Sequence, residues 1–141
     1  MKLSFKKKPI TLPNNQLSLF PYTLKENDLV WFHDNKLNKD VFGVIRDIFS
    51  GNHYCMVSTC YGKSQMSISD LYKASYIIVN ILDLRAGDFI VRQLGADLYA
   101  VYVNIMSGNS IETAEVKTMY MGFYNTYTSA NGTEYYKCVK G

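Results

Sequence analysis

The stretch DVFGVIRDIFSGN at 40–52 can be laid without a gap over DLYAVYVNIMSGN at 97–109, at an offset of 57. Six of the thirteen pairs are identical: Asp40/Asp97, Val44/Val101, Ile48/Ile105, Ser50/Ser107, Gly51/Gly108 and Asn52/Asn109. Just upstream, LKENDLV at 24–30 matches LRAGDFI at 84–90 at an offset of 60, and the three-residue change predicts a longer loop between His33 and Lys39 in the first copy. Self-similarity at a fixed period constrains architecture more than any local propensity does. The chain reads as two copies of one small unit, 24–80 and 81–141, behind an arm at 1–23. Units of that size bury too little surface to be robust alone, so the copies are expected to pack together or on a partner.

Local patterning makes each copy β. In the first, Asp28–His33, Asp40–Phe49, His53–Cys60 and a strand beginning at Gln65–Ile68 are rich in β-branched and aromatic residues, with polar turns between them. Ser69–Tyr72 reads as a short 3-10 turn, and the apolar run Tyr76–Leu82 as a closing strand or one shared between the copies. The second copy repeats the order with Asp88–Leu94, Asp97–Met106, Ser110–Met119, Tyr120–Thr128 and Thr133–Val139. Asn131-Gly132 between the last two is the strongest short hairpin signal in the chain. Strand alternation nominates Phe42, Val44 and Ile48, with Tyr99, Val101 and Ile105, as core. Five strands per copy is the count for a small barrel.

The arm holds Pro9, Pro13 and Pro21, which disfavour a continuous helix or central strand, and the apolar pegs Leu17, Leu19 and Phe20 near its inner end. It also holds the whole charge excess: Lys2, Lys6, Lys7 and Lys8 stand against no acid, while bases and acids nearly balance from residue 24 onward. A flexible basic segment can follow a phosphate backbone and release its counterions. A plain solubilising tail is the competing reading.

The leading Asn27-Asp28-Leu29-Val30 with Gly43-Val44-Ile45, and Gly87-Asp88-Phe89-Ile90 with Ala100-Val101-Tyr102, resemble SH3-like barrels of the KOW and Tudor families. That resemblance implies an all-β fold of two tandem five-stranded SH3-like barrels with an extended basic N-terminal arm. It implies binding, to nucleic acid or protein segments, and not catalysis. Size and an AT-rich coding bias (Lys, Asn, Tyr and Ile abundant, Pro scarce) are similar to those of small early DNA-binding proteins of T-even-like phages. The expectation is a non-enzymatic binder of double-stranded DNA in a host cytoplasm. Lys2, Lys6, Lys7 and Lys8 with Arg46 and Lys63 would contact phosphates, and Trp31 would offer a stacking face. The alternative is an interaction module that takes a host protein through an exposed strand or aromatic groove.

Little else suggests chemistry. His33 reads as ending an exposed strand and His53 as following a turn, and neither joins a nucleophile or metal spacing. Cys55 and Cys60, five apart, would point to opposite faces of a strand and chelate nothing together; with Cys138 they form no disulfide framework. No cofactor, metal, membrane or small-molecule substrate is expected. Asp28/Asp88 and Asp40/Asp97 read as turn residues at repeated positions. Trp31, Phe32, Tyr54, Tyr61 and Tyr72 are candidates for an aromatic site on the first copy. The second copy carries Tyr120, Phe123, Tyr124, Tyr127, Tyr135 and Tyr136, more rings than so small a unit can bury, and an aromatic surface is expected there.

Overall fold

A computed structural model describes residues 24–49, 51, 53–107, 113–130 and 132–141. Ten strands run through them: β1 (Leu29–Asp34), β2 (Lys39–Ile48), β3 (Tyr54–Thr59), β4 (Gly62–Ser67), β5 (Tyr72–Asn80), β6 (Phe89–Leu94), β7 (Asp97–Ser107), β8 (Thr113–Tyr120), β9 (Phe123–Ala130) and β10 (Glu134–Lys140). The only helical pieces among the described residues are 3-10 turns at Ile68–Asp70 and Ile81–Asp83. No helix among them is long and apolar enough to cross a membrane.

Each copy starts from the same turn. Asp28 N–H donates to Lys25 O and Asp88 N–H to Arg85 O, both at 3.1 Å, and each aspartate carboxylate accepts in return from Lys25 N–H or Arg85 N–H. The third residue takes positive φ, 70° at Asn27 and 101° at Gly87, a conformation in which Asn and Gly are the least strained residues. Asp28 and Asp88 therefore are turn residues at equivalent positions, as their spacing suggests.

The strands form one antiparallel sheet in the order β4-β3-β2-β1-β5-β10-β6-β7-β8-β9, open at β4 and β9. Each copy is a four-stranded meander whose fifth strand lies beside its first. β5 meets β1 through Lys73↔Val30, and β10 meets β6 through Lys137↔Ile90. The two lysines repeat one ion pair, Lys73 Nζ to Asp28 at 3.5 Å and Lys137 Nζ to Asp88 at 3.6 Å. β5 and β10 then pair with each other from Ala74↔Lys140 to Asn80↔Glu134. With Lys73 equivalent to Lys137, the pair Ser75↔Val139 lies on a local two-fold axis relating the copies. The apolar run Tyr76–Leu82 thus closes the first copy and joins it to the second.

Two expectations change at this point. Asn131-Gly132 closes no hairpin: β9 pairs with β8, β10 pairs with β5 and β6, and β9 and β10 are not paired together among the described residues. Thr133 O instead accepts from Ile81 N–H at 2.9 Å, which ties this connection to the end of β5. The tight hairpins are at Cys60-Tyr61, Gly95-Ala96 and Met121-Gly122, each a two-residue loop.

The second change is the register of the repeat. Ile45 N–H donates to Asp28 O and Val103 N–H to Asp88 O, while Asn27 N–H and Gly87 N–H donate to the carbonyls of Ile45 and Val103. A bulge follows each, between Ile45 and Asp47 and between Val103 and Ile105. Ile45 is therefore equivalent to Val103, an offset of 58, and the gapless alignment at 57 is one residue out of register in β2 and β7. The physical reason is the hairpin: Asp34↔Lys39 closes the first and Leu94↔Asp97 the second, so the loops differ by two residues and not three. Asp40 and Asp97 are not equivalent. Tyr99 and Val101 correspond to Val41 and Gly43, not to Phe42 and Val44.

Both faces of β2 are buried, which its alternation alone does not predict. Phe42 lies 5.4 Å, ring to ring, from Phe89 of the other copy, so this face packs between copies. Val41, Gly43 and Ile45 face the opposite way, and Val41 and Ile45 are buried with Val57 and Cys55. Ile48 is half-buried, and the Ile105 side chain lies outside the described residues. Gly43 has no space for a side chain: a Cβ there would sit 2.8 Å from Val57 Cγ1 and 2.9 Å from Ser58 O.

Candidate functional site

Extending the structural equivalence through the sheet shows where the copies diverge. The strand pairings give offsets of 60 for β1/β6, 58 for β2/β7, 61 for β3/β8 and β4/β9, and 64 for β5/β10. On these offsets Ile45 and Cys55 match Val103 and Val116, all fully buried. Six further interior positions of the first copy are apolar: Phe32, Val41, Val57, Met66, Ile68 and Leu71. Their equivalents are Arg92, Tyr99, Thr118, Tyr127, Ser129 and Tyr135. In the second copy these six residues line a cleft of about 650 Å³, together with Tyr120, Val101 and Asn125. One copy has a filled core. The other has exchanged these six positions for hydroxyl-bearing side chains and a guanidinium, and is left with a cavity of small-ligand size.

Arg92 occupies the position of Phe32. Its guanidinium carbon lies 4.4 Å from the Tyr127 ring centre and 5.2 Å from that of Tyr135. Both contacts stabilise the cation. They do not satisfy its donors: Nε and Nη2 are buried without a hydrogen-bond partner among the described residues. A buried donor left unmet costs on the order of 1–3 kcal/mol, and more on a charged group. Such a group in a folded protein calls for an explanation, and a ligand is one. Around it, Tyr135 Oη and Ser129 Oγ hydrogen-bond at 2.9 Å, which anchors Tyr135. Tyr127 sits on the edge strand β9, which also carries exposed Tyr124 and Phe123, the latter 74% exposed. Lys117 Nζ lies 5.1 Å from the Tyr124 ring centre.

A second, smaller hollow of about 450 Å³ adjoins the cleft, because Tyr99 and Tyr120 line both. Their rings meet edge to face at 5.2 Å. Beyond them stand Arg46, Ser58 and Lys63 of the first copy. Arg46 is the bulge residue of β2; its guanidinium carbon stacks 4.4 Å from the Tyr99 ring centre while Nη2 donates to Leu98 O. Ser58 Oγ hydrogen-bonds Tyr120 Oη, and Met121 N–H donates to Cys60 O. The Asn27 side chain donates to Ala96 O and accepts from Leu98 N–H, each at 3.1 Å. The copies are thus locked together beside the cleft, and a belt runs Lys63–Arg46–Tyr99–Tyr120–Arg92–Tyr127 across their junction.

Comparison of the chain with protein-family models, curated proteins and solved structures returned no match.

Of the residues nominated from sequence, Lys2, Lys6, Lys7 and Lys8 lie outside the described residues. The structure brings Arg46 and Lys63 together, with Arg46 engaged between copies and Lys63 exposed on β4. Trp31 is elsewhere: it stacks on Tyr72 at 4.7 Å, with Lys140 Nζ 4.3 Å from its ring centre. Phe32 is buried, and Tyr61 packs 6.4 Å from Tyr102 with Lys39 Nζ within 5 Å of both ring centres, so the rings nominated on the first copy do not converge on one site. The expected aromatic surface of the second copy comprises Phe123, Tyr124 and Tyr127, whereas Tyr135 is buried and Tyr120 and Tyr136 are half-buried.

His33 Nδ1 and Lys140 Nζ both contact the Asp40 carboxylate, and these hydrogen bonds, Lys140 first, hold its pKa below the ordinary value. All three cysteines are buried. β3 ends at Thr59, so Cys60 lies in the turn beyond the strand that holds Cys55. Burial pushes the Cys60 thiol up to about 11 and raises Cys55 and Cys138 as well. No group of His, Cys, Asp or Glu suited to a metal is present among the described residues.

Arg92 escapes a sequence reading because one arginine in an apolar strand, FIVRQL, reads as a solvent-facing alternation. A signal does exist: the lead-in alignment at offset 60, carried two residues further, sets Arg92 against Phe32.

Proposed function

We propose that the chain is a non-enzymatic DNA-binding protein of two SH3-like units. In this reading the first unit is the structural half and the second carries the ligand cleft. The observation that supports it best is the belt across the junction, where Lys63, Arg46 and Arg92 stand among Tyr99, Tyr120 and Tyr127. Cations that follow a phosphate backbone beside rings that accept base stacking are the combination that sequence-tolerant nucleic-acid binders use. The arm lysines Lys2, Lys6, Lys7 and Lys8 would add backbone contacts next to it. The units themselves are close to neutral, so affinity depends on this local asymmetry and the arm, not on overall charge.

Fluorescence anisotropy with labelled duplex and single-stranded DNA over a salt series tests the proposal. Binding is expected to weaken steeply with salt, and replacing the four arm lysines by glutamine should flatten the slope by about 0.7–0.9 for each lysine–phosphate pairing removed. Absence of binding at moderate salt, or binding indifferent to salt, would defeat it.

One observation favours a second reading. β9 is an uncharged edge strand, FYNTYTSA, with Phe123 and Tyr124 exposed, whereas the opposite edge β4 carries Lys63. An unguarded edge suits strand addition by a protein segment. A host protein retained on the chain and released by Tyr124→Lys would support that reading. Retention unchanged by that substitution would oppose it.

A further inference from the structure

Resting on the nucleic-acid reading, we infer that the second-unit cleft is a nucleotide site, with a phosphate held by the Nε–Nη2 edge of Arg92. The two donors that have no partner among the described residues are not an arbitrary pair. In a guanidinium they are the adjacent, parallel N–H groups of one edge, the fork that grips two oxygens of a phosphate or carboxylate at once. A cation placed only to pack on Tyr127 and Tyr135 has no need to leave that particular edge unpaired.

The rest of the cleft selects between oxoanions. Its volume of about 650 Å³ far exceeds what a bare anion fills, and its walls include the edge-to-face rings of Tyr99 and Tyr120. A planar base stacks on such rings, and Thr118, Asn125 and Ser129 offer polar groups to its edge and sugar. The first unit makes the complementary point. With Phe32 and Val41 in the places of Arg92 and Tyr99, its interior is built of buried apolar side chains. A pairing of phosphate fork and aromatic wall therefore arose in one copy only, and at equivalent positions.

Entry has a defined element. The two nitrogens are shielded in this state, so a phosphate reaches them when a ring moves. Tyr135 is buried and bonded to Ser129, whereas Tyr127 is partly exposed on the edge strand. Tyr127 is the movable cover. A duplex cannot bring a stacked, paired base into the cleft, so the site takes a nucleotide unit that is free, terminal or single-stranded.

The test follows the Nε–H resonance of Arg92 by NMR in the full chain, with Arg92→Lys as the companion variant checked for unchanged melting. The probes are deoxyadenosine monophosphate, a 5′-phosphorylated single strand of about eight nucleotides, a duplex, and an acidic peptide. A saturable shift with the mononucleotide, and a fall in affinity of about tenfold or more in Arg92→Lys, supports a free-nucleotide site. The same response to the single strand alone supports a site for strand ends or unpaired segments. An unmoved resonance while duplex DNA still binds overturns the nucleotide site and leaves the DNA-binding reading standing. Failure of every nucleic acid to bind removes both. A shift with the acidic peptide and none with phosphate reassigns the fork to carboxylates and overturns the proposal.

Discussion

Replacing Arg92 by the residue that the first copy uses at the same position, Arg92→Phe, should stabilise the fold. Three contributions decide the sign. Removing two buried donors that have no partner among the described residues relieves on the order of 2 kcal/mol, taking the edge as one desolvated group. Giving up the cation's stacking on the Tyr127 and Tyr135 rings forfeits about 1–2 kcal/mol. Burying a phenyl ring in a partly open cleft returns about 1–2 kcal/mol, less than the full value for a closed core. The net is a gain of about 1–3 kcal/mol, or about 3–9 °C in melting temperature for a chain of this length. Calorimetry or dye-based melting of the two proteins at equal concentration, without nucleic acid, measures it. A fall in melting temperature of that size would refute the reasoning. It would mean that the Arg92 edge is satisfied in solution and that the guanidinium is a structural member of the second unit.

Four further outcomes follow from the geometry. Gly43→Ala should destabilise by about 1–3 kcal/mol, because its Cβ meets Val57 and the Ser58 carbonyl at 2.8–2.9 Å on two packed strands; a change below about 0.5 kcal/mol in denaturant unfolding would show that β2 and β3 can separate freely. Asn27→Gly keeps the positive φ but removes both bonds to the 96–98 segment, so it should cost about 1–2 kcal/mol, and Asn27→Ala more, by urea titration. Stability should decline at alkaline pH: burial raises the folded pKa of Cys60 from 9.0 to about 11, so its neutral thiol stabilises fully below 9.0 and that contribution is lost as pH rises towards 11. Melting temperatures compared at about pH 8 and about pH 10.5 should drop, and drop less in Cys60→Ala. Met121 sits at φ 50° in a two-residue hairpin, so Met121→Gly should relieve about 1 kcal/mol of backbone strain, offset by whatever its side chain contributes beside Phe123; hydrogen exchange across β8–β9 reads the balance.

Much of the fold is legible in the sequence because its causes are local. Alternation and turn residues locate ten strands to within a few residues, and the pair Asp28/Asp88 marks two turns that the hydrogen bonds show to be the same. What stays hidden depends on pairing across the sheet. Nothing local states that β10 lies between β5 and β6, so Asn131-Gly132 reads as a hairpin although the chain there crosses to a distant strand. The double burial of β2 is equally hidden, since it arises from the other copy's Phe89 and not from the strand itself.

The repeat carries the sharper lesson, because its most persuasive alignment is the wrong one. Side chains alternate faces with a period of two, so a slip of one residue exchanges interior for exterior along the whole strand. At offset 57, Val44 faces Val101 and the copies look conserved; at 58, set by hairpins of four and two residues, Gly43 faces Val101 and Val41 faces Tyr99. Identity of residues hides divergence of roles. In the true register Val41 matches Tyr99, and with the offsets of the other strands Phe32 matches Arg92 while Met66, Ile68 and Leu71 match Tyr127, Ser129 and Tyr135. Six apolar interior positions of one copy then become polar or aromatic together, around one cavity. Independent drift does not concentrate on a single pocket in this way, because each such exchange in a closed core leaves a polar group to be satisfied. A second copy locked against a stable first one can tolerate that loss, and the junction bonds through Asn27, Arg46, Ser58 and Met121 supply the lock. The contrast between a filled copy and a hollow one therefore follows from the register of the strands and not from the identity of their residues.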